Sequence, residues 1–311
     1  MNSKYFIITI DTEADNQWDI TKEETTENVL FLPRFQELSE KYDFRPGWLS
    51  TYEIVNDKRF VKYFKPKQDN KLCEIGAHLH AWNNPPEYKL NHVMEQRPYL
   101  IEYPKKIMDE KLKTLTNSIY EKFGIKPVSH RSGRWAMNDE YFGLLSKYGY
   151  KVDCSVTPGV DWSGYKGESG MSGTDYTKHS LKPNFINGVL EVPVTIRNLR
   201  IFDKKRIHSL RNFMHECKTF IFKEKVWLRP LNNNYLYHMK KIINLKEEYL
   251  MFMIHSSELM PGGNPSFKDE LSIEKLYEHI EELFKYARDK GYKGITLREY
   301  YDRVIKNDIN K

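Results

Sequence analysis

The sequence predicts an α/β protein whose strands are mostly parallel and close into a distorted (β/α) barrel of about seven to eight strands. Two observations predict it. Strand-like and helix-like runs alternate from one end of the 311 residues to the other. Chemically able side chains also recur at the ends of the strand-like runs: Asp11 and Glu13 after the first, His78 and His80 at the third, Arg131 at the fourth and His255 at the seventh. Ligands gather at the carboxyl ends of parallel strands, and packing alone does not put polar groups there repeatedly.

Residues 4–10 are rich in β-formers. Pro33 opens a helix at its first turn, where its missing N–H is tolerated, and Phe35, Leu38 and Tyr42 continue at helical spacing. Strands follow over 46–51 and 72–80. A long helix over 104–123 carries the stripe Met108, Leu112, Leu115, Ile119 and Phe123, and Gly124 stops it. "KPVSHRSG" leads into the next strand, and Asn138 caps a helix bearing Tyr141, Leu144 and Leu145. Short strands are expected near 150–155 and 189–196. Residues 204–248 are basic and mostly helical, interrupted by "VWLRP", and are expected to be an insertion in one domain spanning 1–311. "YLMFMIH" is a strand ending at His255. Ser272 is expected to cap the last long helix, with Leu276, Ile280, Leu283 and Ala287 on one side and Gly291 at its end.

Composition narrows the function classes. The chain is 40% hydrophobic and 30% charged with a net charge of +6, and its lysines and glutamates are interspersed on helices. That pattern describes solvated helix faces better than a nucleic-acid stripe, so no nucleic-acid partner is expected. Three widely spaced cysteines, Cys73, Cys154 and Cys217, support neither a thiolate zinc site nor a disulfide framework. No apolar run is long enough to span a bilayer and the start lacks a signal-peptide pattern, so a cytoplasmic protein is expected. Serines 256 and 257 lack a Gly-x-Ser-x-Gly elbow, which argues against a serine nucleophile. No pattern encodes the oligomeric state.

The central motif is "EIGAHLHAW". Residues i and i+2 of a strand face the same way, so His78 and His80 can grip one cation. An acid from "TIDTEAD" would complete three ligands and leave a position for water. Glu13 shares a face with Asp11, and Asp15 is the reserve ligand. Zinc suits two imidazoles and a carboxylate, while nickel, cobalt and iron also accept them.

With these residues the chain resembles the polysaccharide deacetylase family, the NodB-type carbohydrate esterases, and within it the WalW/WbmS-like subgroup of surface-polysaccharide gene clusters. The matching segments are "ITIDTEADNQWD", "EIGAHLHAWNNPP", "SHRSGRW", "SVTPGVDW", "EVPVTI" and "FMIHSSELMPGGNP", in family order over nearly the whole chain. The resemblance implies metal-dependent removal of an N-acyl group from an amino sugar. It implies Asp11 as base, Arg131 as the arginine holding it, His255 as general acid and Asp161 as the acid paired with His255. It implies Glu13, His78 and His80 as metal ligands, and Trp82, Arg134, Trp135 and Trp162 along the saccharide groove. The chain departs from the family at Thr12, where the metal-binding aspartate usually stands, and at Trp82, where the second motif usually has its later histidine. Those departures keep two other readings open: a metal-free ring-amide or ureide hydrolase of the same fold, and a glycan-binding protein with a degenerate site.

Overall fold

The structure, a computed structural model, describes residues 3–17, 21–204 and 207–309. Residues 18–20, the first two of them the end of the first motif, and 205–206 of the basic segment lie outside the described residues. In chain order the main elements are β1 (Lys4–Thr12), α1 (Leu32–Lys41), β2 (Gly47–Ser50), α2 (Tyr52–Asn56), α3 (Lys58–Asp69), β3 (Glu74–Leu79), α4 (Lys105–Phe123), β4 (Ser129–Ser132), α5 (Asp139–Lys147), β5 (Val152–Asp153), β6 (Asn184–Ile186), β7 (Val189–Glu191), β8 (Ile196–Leu199), α6 (Leu210–Phe222), β9 (Glu224–Trp227), α7 (Leu236–Ile243), β10 (Tyr249–His255), α8 (Glu270–Asp289), β11 (Tyr292–Gly294) and α9 (Leu297–Ile309).

Seven strands run parallel in the order β10-β1-β2-β3-β4-β5-β7, which is the sequential winding of a barrel. Two further strands join this sheet: β6 pairs antiparallel with β7, and β11 pairs with the start of β1. The segment after β7 closes the gap to β10 without a regular ladder. Tyr249 Oη donates to Pro193 O (2.9 Å), Met251 N to Thr195 Oγ1 (2.8 Å), Leu228 N to Thr195 O (3.0 Å) and Met253 N to Leu228 O (3.2 Å). The expected distorted barrel is present.

Alternation along the strands sorts the core into two. Phe6, Ile8, Ile10, Trp48, Ile75, Leu250 and Phe252 face the surrounding helices, while Ile7, Leu49, Val152, Cys154, Met251 and Met253 fill the interior. The inward set on β1 therefore continues Ile7, Thr9, Asp11, and on β10 Met251, Met253, His255. The barrel is apolar at its base and turns polar at the strand ends. The predicted stripe of α4 is buried throughout, and Gly124 ends the helix in the left-handed region at φ +73°.

Segment 196–243 forms the β8–β9 antiparallel pair with α6 between its strands and α7 after it. The cap of α8 differs from expectation. Asp269, not Ser272, is the N-cap: its side chain accepts from Ser272 N (2.8 Å), while Ser272 Oγ accepts from Asp269 N (3.1 Å). A capping box joins two polar residues three apart, and Ser272 fills its second position, one turn into the helix.

Asp57 joins several elements. It caps α3 through Arg59 N (2.7 Å) and accepts from Thr26 Oγ1 (2.6 Å) and the Arg59 guanidinium. Partial burial would raise its carboxyl, but the hydrogen bonds from Arg59 and Thr26 bring it down to about 2. A carboxyl depressed in the folded state stabilises above its ordinary pKa, and that contribution fades as pH falls toward the folded value. Asp57→Ala is expected to cost about 1–2 kcal/mol at pH 7. In urea titrations this difference should shrink steadily from about pH 4 toward pH 2.

Candidate metal centre and cleft

Glu13, His78 and His80 converge at the carboxyl end of the barrel, and all three are buried. The Nε2 atoms of the two histidines lie 3.0 Å apart, and Glu13 Oε2 lies 3.5 Å from His78 Nε2 and 3.2 Å from His80 Nε2. A tetrahedral ion with donors at about 2.0–2.1 Å has donor–donor edges of about 3.4 Å. The triangle formed here matches one face of such a polyhedron. The donor chemistry fits as well. His78 Nδ1 is 3.0 Å from Arg131 O, so Nδ1–H donates to that carbonyl and leaves the Nε2 lone pair facing the cluster. With protons on the ring nitrogens instead, the same atoms donate to Glu13. Burial alone would raise the Glu13 carboxyl, yet hydrogen bonds from His78 and His80 hold it far below the carboxylate range. For His78, burial opposes protonation, and Asp11 and Glu13 more than offset it.

The scaffold fixes each ligand. Glu13 follows the last residue of β1, and its backbone is clamped on both sides: its N–H donates to Ser256 Oγ (3.0 Å) and its carbonyl accepts from Asn28 Nδ2 (2.7 Å). His80 stacks on Trp82 with ring centroids 4.2 Å apart. Gly133 backs it from the other side, where a Cβ would stand 2.8 Å from His80 Cδ2 and 2.6 Å from Leu79 O. Asp15, the reserve ligand, is committed to its own loop, accepting from Thr25 N (2.9 Å), Thr25 Oγ1 (2.6 Å) and Asn28 N (3.3 Å).

Beside the triad lies a second group. Asp11 Oδ1 pairs with Arg131 Nη1, and Asp11 Oδ2 lies 3.8 Å from His255 Nε2. Strand register explains the meeting, since His255 is the β10 partner of Asp11 and Arg131 is the β4 partner of His78. Arg131 is fully buried, with Nε donating to Cys154 O (3.0 Å) and Nη2 to Thr9 Oγ1 (2.9 Å). Burial would raise the Asp11 carboxyl, but the Arg131 guanidinium, with His78 and His255, keeps it below the ordinary value and anionic at neutral pH.

The acid at His255 is not the expected one. Glu258 Oε2 sits 3.2 Å from His255 Nδ1 and accepts from His255 N (2.8 Å), while Glu258 Oε1 accepts from Arg229 Nη2 (2.9 Å). Arg229 Nη2 also lies 3.2 Å from His255 Nδ1. Burial works against ionised Glu258, and Arg229 and His255 outweigh it. Asp161 is exposed instead, its carboxylate accepting from Ser163 N (2.8 Å) in an irregular turn bridged to Asp175. His255 Nδ1 is met instead by Glu258 and Arg229.

A cleft of about 710 Å³ opens over these groups, lined by Trp82, Arg134, Trp135 and Trp162 together with Arg97 and Arg229. Arg134 lies 4.2 Å over the Tyr99 ring and donates to Arg97 O and to Lys166 O (3.0 Å), so it braces the wall as well as facing the cleft. Trp82 Nε1 donates to Glu24 Oε1 (3.1 Å), and Trp162 Nε1 to Thr157 Oγ1 (2.8 Å). Arg229 was missed in the sequence; the only hint was its place in "VWLRP", a β-like break in a helical stretch.

No protein-family model and no curated protein matches the chain by sequence. Solved structures do match by shape. A protein described as a polysaccharide deacetylase from Mycobacterium smegmatis superposes with a TM-score of 0.55 at 13% identity, over 99% of this chain and 92% of that one. The chain has the polysaccharide-deacetylase fold. A 4-alpha-glucanotransferase from Thermococcus litoralis also matches, with a TM-score of 0.52 and 13% identity, over 96% of this chain and 38% of that one. The barrel thus serves more than one chemistry, and the reaction has to be read from the site.

Two outcomes check the centre. Zinc, cobalt or nickel added to the metal-stripped protein should raise its Tm, by an amount equivalent to about 2.7 kcal/mol at a hundredfold excess over Kd. Glu13→Gln and His78→Ala should each abolish that rise in differential scanning fluorimetry. Gly133→Ala should push His80 aside and weaken metal binding about tenfold or more in a competition titration, with far-ultraviolet circular dichroism unchanged.

Proposed function

We propose that the protein is a metal-dependent deacetylase that hydrolyses the N-acetyl or other N-acyl group of an amino sugar, in the building of a surface polysaccharide. One observation carries this reading: a three-ligand cation site shares a single cleft with an ionised, arginine-held aspartate and a carboxylate-backed histidine. Neither a metal-free amide hydrolase nor a bare glycan-binding site accounts for that combination. The aromatic lining suits the faces of sugar rings, and the fold shared with the Mycobacterium smegmatis deacetylase agrees.

A divalent cation held by Glu13, His78 and His80 would polarise the acyl carbonyl and make a neighbouring water more acidic. Asp11 takes the proton from the attacking water through Oδ2, since Oδ1 is engaged by Arg131. Arg131 keeps Asp11 ionised and fixes its orientation from below. His255 faces the same space through Nε2 and delivers a proton to the departing nitrogen. Glu258 supports the protonated ring by accepting from Nδ1–H, and Arg229 keeps Glu258 anionic. The water's hydroxyl bonds to the acyl carbon as the C–N bond breaks and the nitrogen takes the proton from His255, giving a carboxylic acid and a free amine, while the proton taken by Asp11 restores the one His255 gave up.

Asp11→Asn is expected to keep its metal and to lower kcat by about 10²–10⁴-fold, read as acetate released from N-acetylated amino-sugar oligomers. Glu258→Gln should also lower kcat, whereas Asp161→Asn should leave it within about twofold. An Asp11→Asn protein of undiminished turnover would remove Asp11 as the base.

A further inference from the structure

Helix α6 is inside out. On a helical wheel Leu210, Phe213, Met214, Cys217, Phe220 and Ile221 fall in one stripe about 120° wide. In a soluble protein such a stripe faces the core. Here five of the six are exposed, with Leu210 at 75%, Met214 at 64% and Ile221 at 62%. The polar side is the one that faces the protein: Glu216 is buried and accepts from Asp203 N (2.8 Å), and Thr219 Oγ1 donates to Ile201 O (3.0 Å). Phe222, at the helix end, is 74% exposed.

Charge says what covers this stripe. Residues 204–225 hold seven lysines and arginines against two glutamates, and so supply most of the chain's net +6. Arg211, His215 and Lys218 border one side of the stripe and are exposed. Behind them a groove of about 660 Å³ is lined by Arg211, Lys240, Lys275 and three histidines, and also by Asp203, Glu216 and Glu282, of which Glu282 pairs with Lys240. An exposed apolar stripe with a cationic border is the pattern of a helix lying in a membrane interface, and the border selects anionic headgroups. At thirteen residues α6 is about 20 Å long, too short to cross.

We infer that α6 seats the protein on the surface of an anionic bilayer, apolar stripe down, with Arg211 and Lys218 among the phosphates. The chain from Phe222 to Arg229 spans at most about 23 Å, so the seated helix stays within that reach of the cleft. The inference rests on α6 and its charges alone, independently of the reaction assigned to the cleft.

Co-sedimentation of the full chain with extruded vesicles tests it. At about 0.15 M salt, vesicles of phosphatidylcholine with a quarter phosphatidylglycerol should bind the protein, and pure phosphatidylcholine should bind it far more weakly. Met214→Glu/Ile221→Glu, both outward-facing and checked for folding by circular dichroism, should abolish binding. Arg211→Ala and Lys218→Ala should each weaken it roughly fivefold. Protein that stays in the supernatant with anionic vesicles, or binding unmoved by the double variant, would overturn the inference. A vesicle-free dimer that the double variant splits would assign the stripe to a second copy instead and would equally overturn it.

Discussion

The buried pair of Asp11 and Arg131 is the constraint around which this barrel is arranged. Moving two charges out of water costs several kcal/mol per ion, and attraction repays that only with good geometry and a full set of hydrogen bonds. Arg131 has them, from Cys154 O just past β5, Thr9 Oγ1 and Asp11 on β1, and the Met251 sulfur on β10 at 3.3 Å. One side chain from β4 thereby reaches β1 and β10, which are not its neighbours in the sheet. The same contacts point Asp11 upward and keep it ionised, so the group that organises the interior also sets the electrostatics of the cleft.

Above that layer the site is built on stiff supports. Its ligands come from a strand, from the residue just past a strand, and from a second imidazole held between a tryptophan ring and a glycine. The groups flanking His255 come from its own strand end and from the crossing segment at Arg229. Each strand end adds its chemistry at the same height because the register of the parallel ladder leaves it no alternative. The donor atoms are therefore placed before any ligand arrives, which spares the cost of ordering them later.

Local patterns made much of this legible in the sequence. Period-two alternation put Asp11 with Glu13 and His78 with His80, and the spacing of Met108 through Phe123 gave α4 its buried face. Contacts between distant segments were not legible. Glu258 was visible as an acid three residues after His255, but Arg229, which orients and charges it, lies in a segment whose local signal was helical and basic. Asp161 carried a family-like motif, yet the turn around Asp161 and Ser163 holds it at the surface. Asp15 and Glu13 were equivalent by composition; only the fold shows that Thr25 and Asn28 occupy one and leave the other free to meet the histidines. The direction in which α6 presents its stripe was equally hidden, because periodicity defines a face and not what lies against it.

The closure between β7 and β10 runs through a threonine hydroxyl and an isolated Leu228 rather than through paired strands. Such a joint fixes Thr195 and Leu228, and the β8–β9 ladder carries the chain outward from them. The length and composition of the chain beyond that ladder, between Leu199 and Glu224, are thereby uncoupled from the integrity of the cylinder. That stretch is free to diversify, by growth, trimming or a change of surface character, while the arrangement of charges at the rim is inherited intact.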